Sequence, residues 1–386
     1  MKWEKVTLEE VSTRIGDGLH GTPKYEETGE FYFINGNNLS DGKIVIKEDT
    51  KRISNIEYEK IKRELNDRTI LVAINGTIGN IGLYNNEPVT LGKSACYINV
   101  SEIAEKLFIR YVLENHDFQV YAQDFATGST IKNLGLKAVR NYSFNLPPLP
   151  TQRRIASILS AYDDLIENNL KRIKLLEEKA FVDYKLLMSS EKLIEGKVGD
   201  LADVKSGFAF KGSDWTDEGS PVIKIRNIGN NDIDLVNCSF IPENIAEAAI
   251  KFKLNAGDLL IAMTGATVGK IGMMPKTETA FYLNQRVGLF KPKAQNAEFF
   301  LFCFFNEPSA RTAVENLASG AAQPNISGGQ LESIKLYYPK REVVTAFGNS
   351  IKSYFELNWN LKQQNSKLRE ARDILLPRLM SGEIEV

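Results

Sequence analysis

Leu146-Pro147-Pro148-Leu149-Pro150-Thr151-Gln152-Arg153-Arg154-Ile155-Ala156 is the stretch on which the reading of this chain turns. Each proline lacks a backbone N–H, so the run cannot be helix interior. Thr151 follows as a favoured N-cap residue. Beyond it, apolar residues recur at helical spacing: Ile155, Ile158, Leu159, Tyr162, Leu165, Ile166, Ile173, Leu176, Phe181, Tyr184 and Leu187. No glycine or proline intervenes between Thr151 and Glu195. The pattern predicts a helix of roughly 40 residues, about 60 Å long at 1.5 Å per residue. A helix of that length with one apolar seam needs a partner.

The partner lies in the same chain. Tyr338 and Pro339 precede a second pattern: Phe347, Ile351, Tyr354, Phe355, Leu361, Leu368, Leu375, Leu376 and Leu379. Gly128 and Gly320, Asn133 and Asn325, Pro147 and Pro339, and Met188 and Met380 are each separated by 192 positions. The chain is therefore a tandem duplication in which each copy ends in a long helix. Asp163 and Asp164 read as the solvated face of the first helix. Asn358 and Asn365 read as polar seam residues able to fix helix register, or as exposed ones.

Shorter matches fill in the copies. Leu8 and Val11 correspond to Leu201 and Val204. Phe31 to Ile34 and Val222 to Ile225 are β runs that end in amides. The clearest match sets Leu71-Val72-Ala73-Ile74-Asn75-Gly76-Thr77-Ile78-Gly79-Asn80-Ile81-Gly82 beside Leu260-Ile261-Ala262-Met263-Thr264-Gly265-Ala266-Thr267-Val268-Gly269-Lys270-Ile271-Gly272. Each reads as a buried strand, a glycine-rich turn and a second strand. Gly92-Lys93-Ser94-Ala95 and Asn284-Gln285-Arg286-Val287 head further β runs. Helical stretches follow at Lys106 to Phe125 and Ala297 to Leu317, then small polar loops at 127–133 and 319–325.

Composition bounds the chemistry. The 386 residues are 43% hydrophobic and 25% charged, ordinary globular values that allow two or three domains. A net charge of −1 requires any nucleic-acid surface to be a local segregation of basic residues. Cys96, Cys238 and Cys303 lack Cys-x-x-Cys spacing, which fits buried thiols in a reducing cytoplasm. The charge-rich opening does not read as a signal peptide. The longest apolar run, Phe299 to Phe305, is far shorter than the roughly 18 residues of a membrane span.

No catalytic constellation emerges. His20 and His116 have no zinc-ligand pattern around them. Gly92-Lys93-Ser94 fails as a phosphate loop because Glu87 stands where its first glycine belongs. Asn145-Leu146-Pro147-Pro148 only superficially matches an amino-methyltransferase motif, since Leu146 interrupts it. What remains is polar readout chemistry: Asn and Gln pair with adenine, Arg and Lys with guanine, Ser and Thr with bases or phosphates. The candidate DNA-binding residues are Tyr25, Asn37, Asn75, Thr77, Lys93, Ser129 and Lys132 in the first copy. In the second they are Arg226, Asn227, Thr264, Lys270, Gln285, Arg286, Gln323 and Asn325.

With these features together, the whole chain resembles the specificity (S) subunit of type I restriction-modification systems. The resemblance rests on the proline-rich entry to the first helix and on Leu375-Leu376-Pro377-Arg378-Leu379-Met380-Ser381-Gly382-Glu383-Ile384. Leu260-Ile261-Ala262-Met263-Thr264-Gly265 and Asn284-Gln285-Arg286-Val287 add to it. It implies an α+β chain with two tandem α/β target recognition domains, separated by an antiparallel pair of long helices forming a coiled-coil spacer, with pseudo-two-fold internal repeat. The implied division is 1–150, first recognition domain; 151–195, central helix; 196–341, second recognition domain; 342–386, C-terminal helix. It implies a noncatalytic cytoplasmic subunit without cofactor or metal, in which each recognition domain reads one half of a bipartite site on double-stranded DNA. The helices would dock two methyltransferase (M) subunits, and through them the restriction (R) subunits. The alternatives are the specificity subunit of another restriction system with the same architecture, a stand-alone DNA methyltransferase or nuclease, and a purely structural coiled coil. The missing catalytic motifs count against the enzyme, and the repeated polar loops against the scaffold. The duplication also suggests that a chain ending near Glu195 would pair through its helix with a second copy and specify an interrupted palindrome.

Overall fold

The computed structural model describes residues 3–128, 132–229, 231–318 and 324–386. Contacts divide the chain into two compact units: Met1–Glu167 with Ser366–Val386, and Asn168–Asn365. Each unit takes a segment from both long helices.

The first unit is built on a four-stranded antiparallel sheet in the order Ser12–Asp17, Ala95–Val100, Thr69–Ala73, Ile81–Leu83. The middle strands are buried at every position, which is why Leu71-Val72-Ala73 shows no polar alternation. A three-stranded sheet sets Phe31–Ile34 between Arg52–Ile53 and Val89–Leu91, parallel to the latter. Glu4–Thr7 pairs with Ser143–Leu146, so the strand leading into the proline run is anchored before the helix begins. The predicted helical stretch is two helices, Lys106–Glu114 and His116–Asp124, broken at Asn115.

The second unit repeats the plan. Its four-stranded sheet runs Ala202–Ser206, Val287–Pro292, Leu259–Ala262, Ile271–Met273. Ser220–Ile223 lies between Ser239–Ile241 and Tyr282–Leu283, again parallel to the latter. Ile194–Lys197 pairs with Lys335–Tyr338. Helices Ala297–Asn306 and Pro308–Ala318 meet where Pro308 stops the first from continuing. The repeated glycines have a physical reason. A Cβ at Gly272 would stand 2.6 Å from the Asp232 carbonyl oxygen, and one at Gly82 would stand 3.1 Å from that of Lys43. The equivalent turn glycines Gly76 and Gly265 sit at φ of +71° and +77°.

The long helices are Leu149–Ser190 and Arg341–Met380. The first begins two residues before Thr151, so Thr151 sits inside the opening turn and is not the cap. Pro150 fits there because the first N–H groups of a helix have no intrahelical acceptor. Gln152 locks the entry: its Oε1 accepts from the Glu105 N–H at 2.8 Å and its Nε2 donates to the Pro147 carbonyl at 2.8 Å.

Within each unit the helix segments run antiparallel. In the first unit Ile155 and Leu159 share a core with Leu376, Leu379, Phe108 and Phe118. In the second, Ala180 and Tyr184 share one with Phe347, Ile351, Phe300 and Phe302. The α+β class and the two long antiparallel helices follow.

The solvated-face expectation for Asp163 does not hold. Asp163 Oδ2 lies 2.8 Å from the Arg110 guanidinium and accepts from the Tyr111 hydroxyl at 2.8 Å, while its Oδ1 accepts from Arg372 at 2.7 Å. Arg110 also bonds Glu114 at 2.9 Å and is only 10% exposed. Burial works against the charge of Arg110, but Glu114 and Asp163 outweigh it and its pKa rises. Asp164 is exposed as read. A displacement of 192 carries Arg110, Asp163 and Arg372 onto Phe302, Phe355 and Ala180. There the second unit has an aromatic junction, with Phe302 and Phe355 edge to face at 4.9 Å.

Candidate nucleic-acid interface

In each unit one edge of the four-stranded sheet carries a set of converging loops. Ala73 and Ala95 are cross-strand partners, so the loops 74–80 and 92–94 leave the first sheet side by side. Phe31–Ile34 delivers the loop 35–38 to the same place. Gly36 N–H donates to Ser94 Oγ at 2.9 Å, Ser94 Oγ to Asn35 Oδ1 at 2.9 Å, and Thr77 Oγ1 to the Gly36 carbonyl at 2.9 Å. Leu134 N–H donates to the Ile74 carbonyl at 2.8 Å, which brings in Asn133 and, paired with it through the backbone, Thr127. A short backbone bridge joins Asn75 to Asn133. With its NH2 group turned toward Asn133, the Asn75 amide lies 2.7 Å from Asn133 Oδ1. Backbone and small polar groups therefore hold the loops together, and longer side chains are left outward.

Asn37, Lys93 and Lys132 are exposed. Thr77 is exposed but already bonded to Gly36, and Asn75 is half-buried against its neighbouring loop. Tyr25 is 41% exposed and meets Phe33 edge-on at 5.9 Å. Phe33 lies against Gly92, so Tyr25 borders the Lys93 loop. Ser129 falls outside the described residues, as does Gln323 in the second unit.

The second unit rebuilds the loop set with other side chains. Gly265 N–H donates to the Pro324 carbonyl at 3.0 Å, and Met263 N–H to that of Arg286 at 3.0 Å. Thr264 bridges Asn325 as Asn75 bridges Asn133. Arg226, Lys270, Gln285, Arg286 and Asn325 are exposed. Arg226 also donates to Ser239 Oγ at 2.9 Å.

Two of the selected residues turn inward. Asn227 is 2% exposed; its Oδ1 accepts from the Lys224 N–H at 3.0 Å, and its Nδ2 donates to the Asp234 and Asn237 carbonyls at 3.1 and 3.0 Å. Asn38 does the same for Asn35 and Val45 at 3.0 and 2.9 Å. Asn227 therefore shapes its loop and has no free amide edge for a base. The Thr264 hydroxyl is enclosed, without a partner among the described residues.

Two organisers were missed by the sequence reading. Ser94 joins two loops, although its place in Gly92-Lys93-Ser94-Ala95 was in view. Lys224 stacks over the Trp215 ring at 3.1 Å, next to Arg226. Burial, and secondarily Arg226, pushes its pKa down. No signal at the level of spacing connects Trp215 to Lys224. Among the described residues no group of His, Cys, Asp and Glu is arranged to hold a metal, and no helix is long and apolar enough to cross a membrane.

The family model described as the type I restriction modification DNA specificity domain matches residues 1–178 and again 191–368. The chain belongs to that family. It is 27% identical to the type I restriction enzyme MjaVIII specificity subunit of Methanocaldococcus jannaschii, over 83% of this chain and 80% of the relative. It is 21% identical to the EcoBI specificity subunit of Escherichia coli, over 82% of this chain and 73% of that one. Among solved structures, the type I S subunit from M. genitalium superposes with a TM-score of 0.67 at 20% identity, covering 98% of this chain and 96% of that one. The chain is thus a specificity subunit, the noncatalytic DNA-recognition component of a type I restriction-modification system.

Proposed function

We propose that each unit reads one half of a bipartite DNA sequence with the loop set at the edge of its four-stranded sheet. The observation that carries this is the recurrence of one loop scaffold on two sheets with different exposed side chains. In the first unit the reading surface consists of Asn37, Lys93 and Lys132, with Tyr25, Asn75 and Thr77 at its border; Ser129 is a candidate by sequence alone. In the second it consists of Arg226, Lys270, Gln285, Arg286 and Asn325, with Lys224 beside them; Gln323 is a candidate by sequence alone. Asn227 and Thr264 support the loops from within. The corresponding functional division is recognition domains at 1–150 and 196–341 with helices at 151–195 and 342–386, the helices setting the distance between half-sites.

Methyltransferase subunits bind along the long helices, and restriction subunits join through them, in the cytoplasm. Leu175, Val182 and Leu186 favour this reading of the helices. They are 62%, 62% and 64% exposed, and their spacing puts them on one stripe of the first helix, away from the buried seam. The test is single-molecule mapping of methylated adenines in cells carrying this subunit and its M subunits. Alanine at Lys93 and Lys132 should relax one half of the methylated motif, and alanine at Gln285 and Arg286 the other. A change in both halves from either pair would reject the assignment.

A further inference from the structure

We infer that the seam between the long helices carries a partner code, one that accepts the pairing of first helix with second and rejects the pairing of the first helix with a copy of itself. Asn169 Nδ2 donates to Asn365 Oδ1 at 2.9 Å, and both residues are buried, at 6% and 2% exposure. Asp163 meets Arg372 at 2.7 Å, and Asn358 donates to Glu177 at 3.1 Å. These three contacts share one antiparallel register, since the two residue numbers in each add to 534 or 535. In that register Ile173 and Leu361, both buried, oppose each other one turn from the asparagines.

The internal repeat shows what self-pairing would do. Moving back by 192 positions turns Asn365 into Ile173, Leu361 into Asn169, and Arg372 into Ala180. Polar and apolar seam positions are thus exchanged between the two helices. In a two-fold pair of first helices, each Asn169 would face Ile173 of the other copy and each Asp163 would face Ala180. Both asparagine amides would be buried against aliphatic groups, and each carboxylate would lose one guanidinium. Self-pairing is penalised twice over because two-fold symmetry repeats every mismatch. A chain ending near Glu195 therefore does not assemble as the palindromic reader that the duplication alone suggests.

The test needs no truncation. Leu361→Asn with Asn365→Ile gives the second helix the chemistry of the first at these positions, so one intact chain reproduces the self-paired seam. Adding Asn169→Leu and Ile173→Asn restores complementarity in reversed sense, with an asparagine pair one turn away. By differential scanning calorimetry the two-residue variant should lose about 5 °C or more in Tm, or fail to fold. The four-residue variant should recover most of that loss. A two-residue variant as stable as the wild type, or a four-residue variant no better than the two-residue one, would overturn the inference.

Discussion

Asn169 and Asn365, 196 positions apart, form a buried amide-to-amide hydrogen bond across the helix seam. Their coupling is measurable. Asn169→Leu leaves the Asn365 carbonyl oxygen without that donor, and a buried polar group deprived of its partner costs about 1–3 kcal/mol. The double change Asn169→Leu with Asn365→Leu removes both polar groups and should cost less than the sum of the singles. Thermal melts of the four proteins give the coupling energy, and strict additivity would mean that the bond contributes nothing specific.

Glu114 provides a pH test. Burial pushes its carboxyl above the usual 4.5, against the pull of Arg110. A folded-state pKa raised above the unfolded one means that the folded protein takes up a proton first. The penalty for keeping Glu114 charged is therefore full above the folded pKa and disappears as pH falls toward 4.5. Glu114→Gln removes this penalty while keeping an acceptor near Arg110. Its stability relative to the wild type should be greatest at about pH 8 and shrink toward about pH 5. A difference that stays constant over that range would show that Glu114 does not titrate in this way.

Arg286 is the sharpest probe of base reading in the second unit. Loss of a bidentate guanine contact costs about 1–3 kcal/mol, so Arg286→Ala should relax one position of one half-site. Gly76→Ala tests the loop scaffold separately. Space is open around that position, but φ of +71° strains any side-chain-bearing residue. It should weaken the first half-site without relaxing a particular base. Methylated-motif frequencies distinguish the two outcomes.

Val182→Glu and Leu186→Glu place charge on the exposed stripe. Away from buried contacts, such changes alter stability by within about 0.5 kcal/mol. They should leave the melting temperature unchanged and abolish co-purification of the methyltransferase subunit. Retained co-purification would move the docking surface elsewhere.

What the sequence makes legible here is periodic or repeated. The helix over Leu149–Ser190 shows as an unbroken apolar period, and the twin glycine turns show because Gly76 and Gly265 need positive φ and Gly82 and Gly272 need close backbone approach. The charge cluster is invisible in one dimension: Asp163 finds Arg110 and Arg372 at 53 and 209 positions away, so local pattern reads it as a wet face. The site behaves likewise. The loops are legible as polar, glycine-rich ends of strands, but the side-chain direction within them is not. Asn227 and Arg226 are neighbours, yet one is inside and the other outside, because Asn227 bonds back to Lys224 and forward to Asp234. The helix start at Leu149 was missed by two residues because a proline reads as a stop, although the first turn tolerates one.

The unlike helix junctions of the two units give the subunit an uneven response to temperature. The junction at Phe302 and Phe355 depends on apolar burial, which weakens on cooling. The junction at Arg110, Asp163 and Arg372 adds to the apolar core of Ile155, Leu159, Leu376 and Leu379 a set of ions whose desolvation penalty falls as temperature rises. Both holds therefore weaken on cooling, the second unit's through fading apolar burial and the first unit's also through costlier desolvation of its ions. A duplicated protein with two identical junctions would weaken at both in equal measure; here the two differ by the ionic contacts of the first.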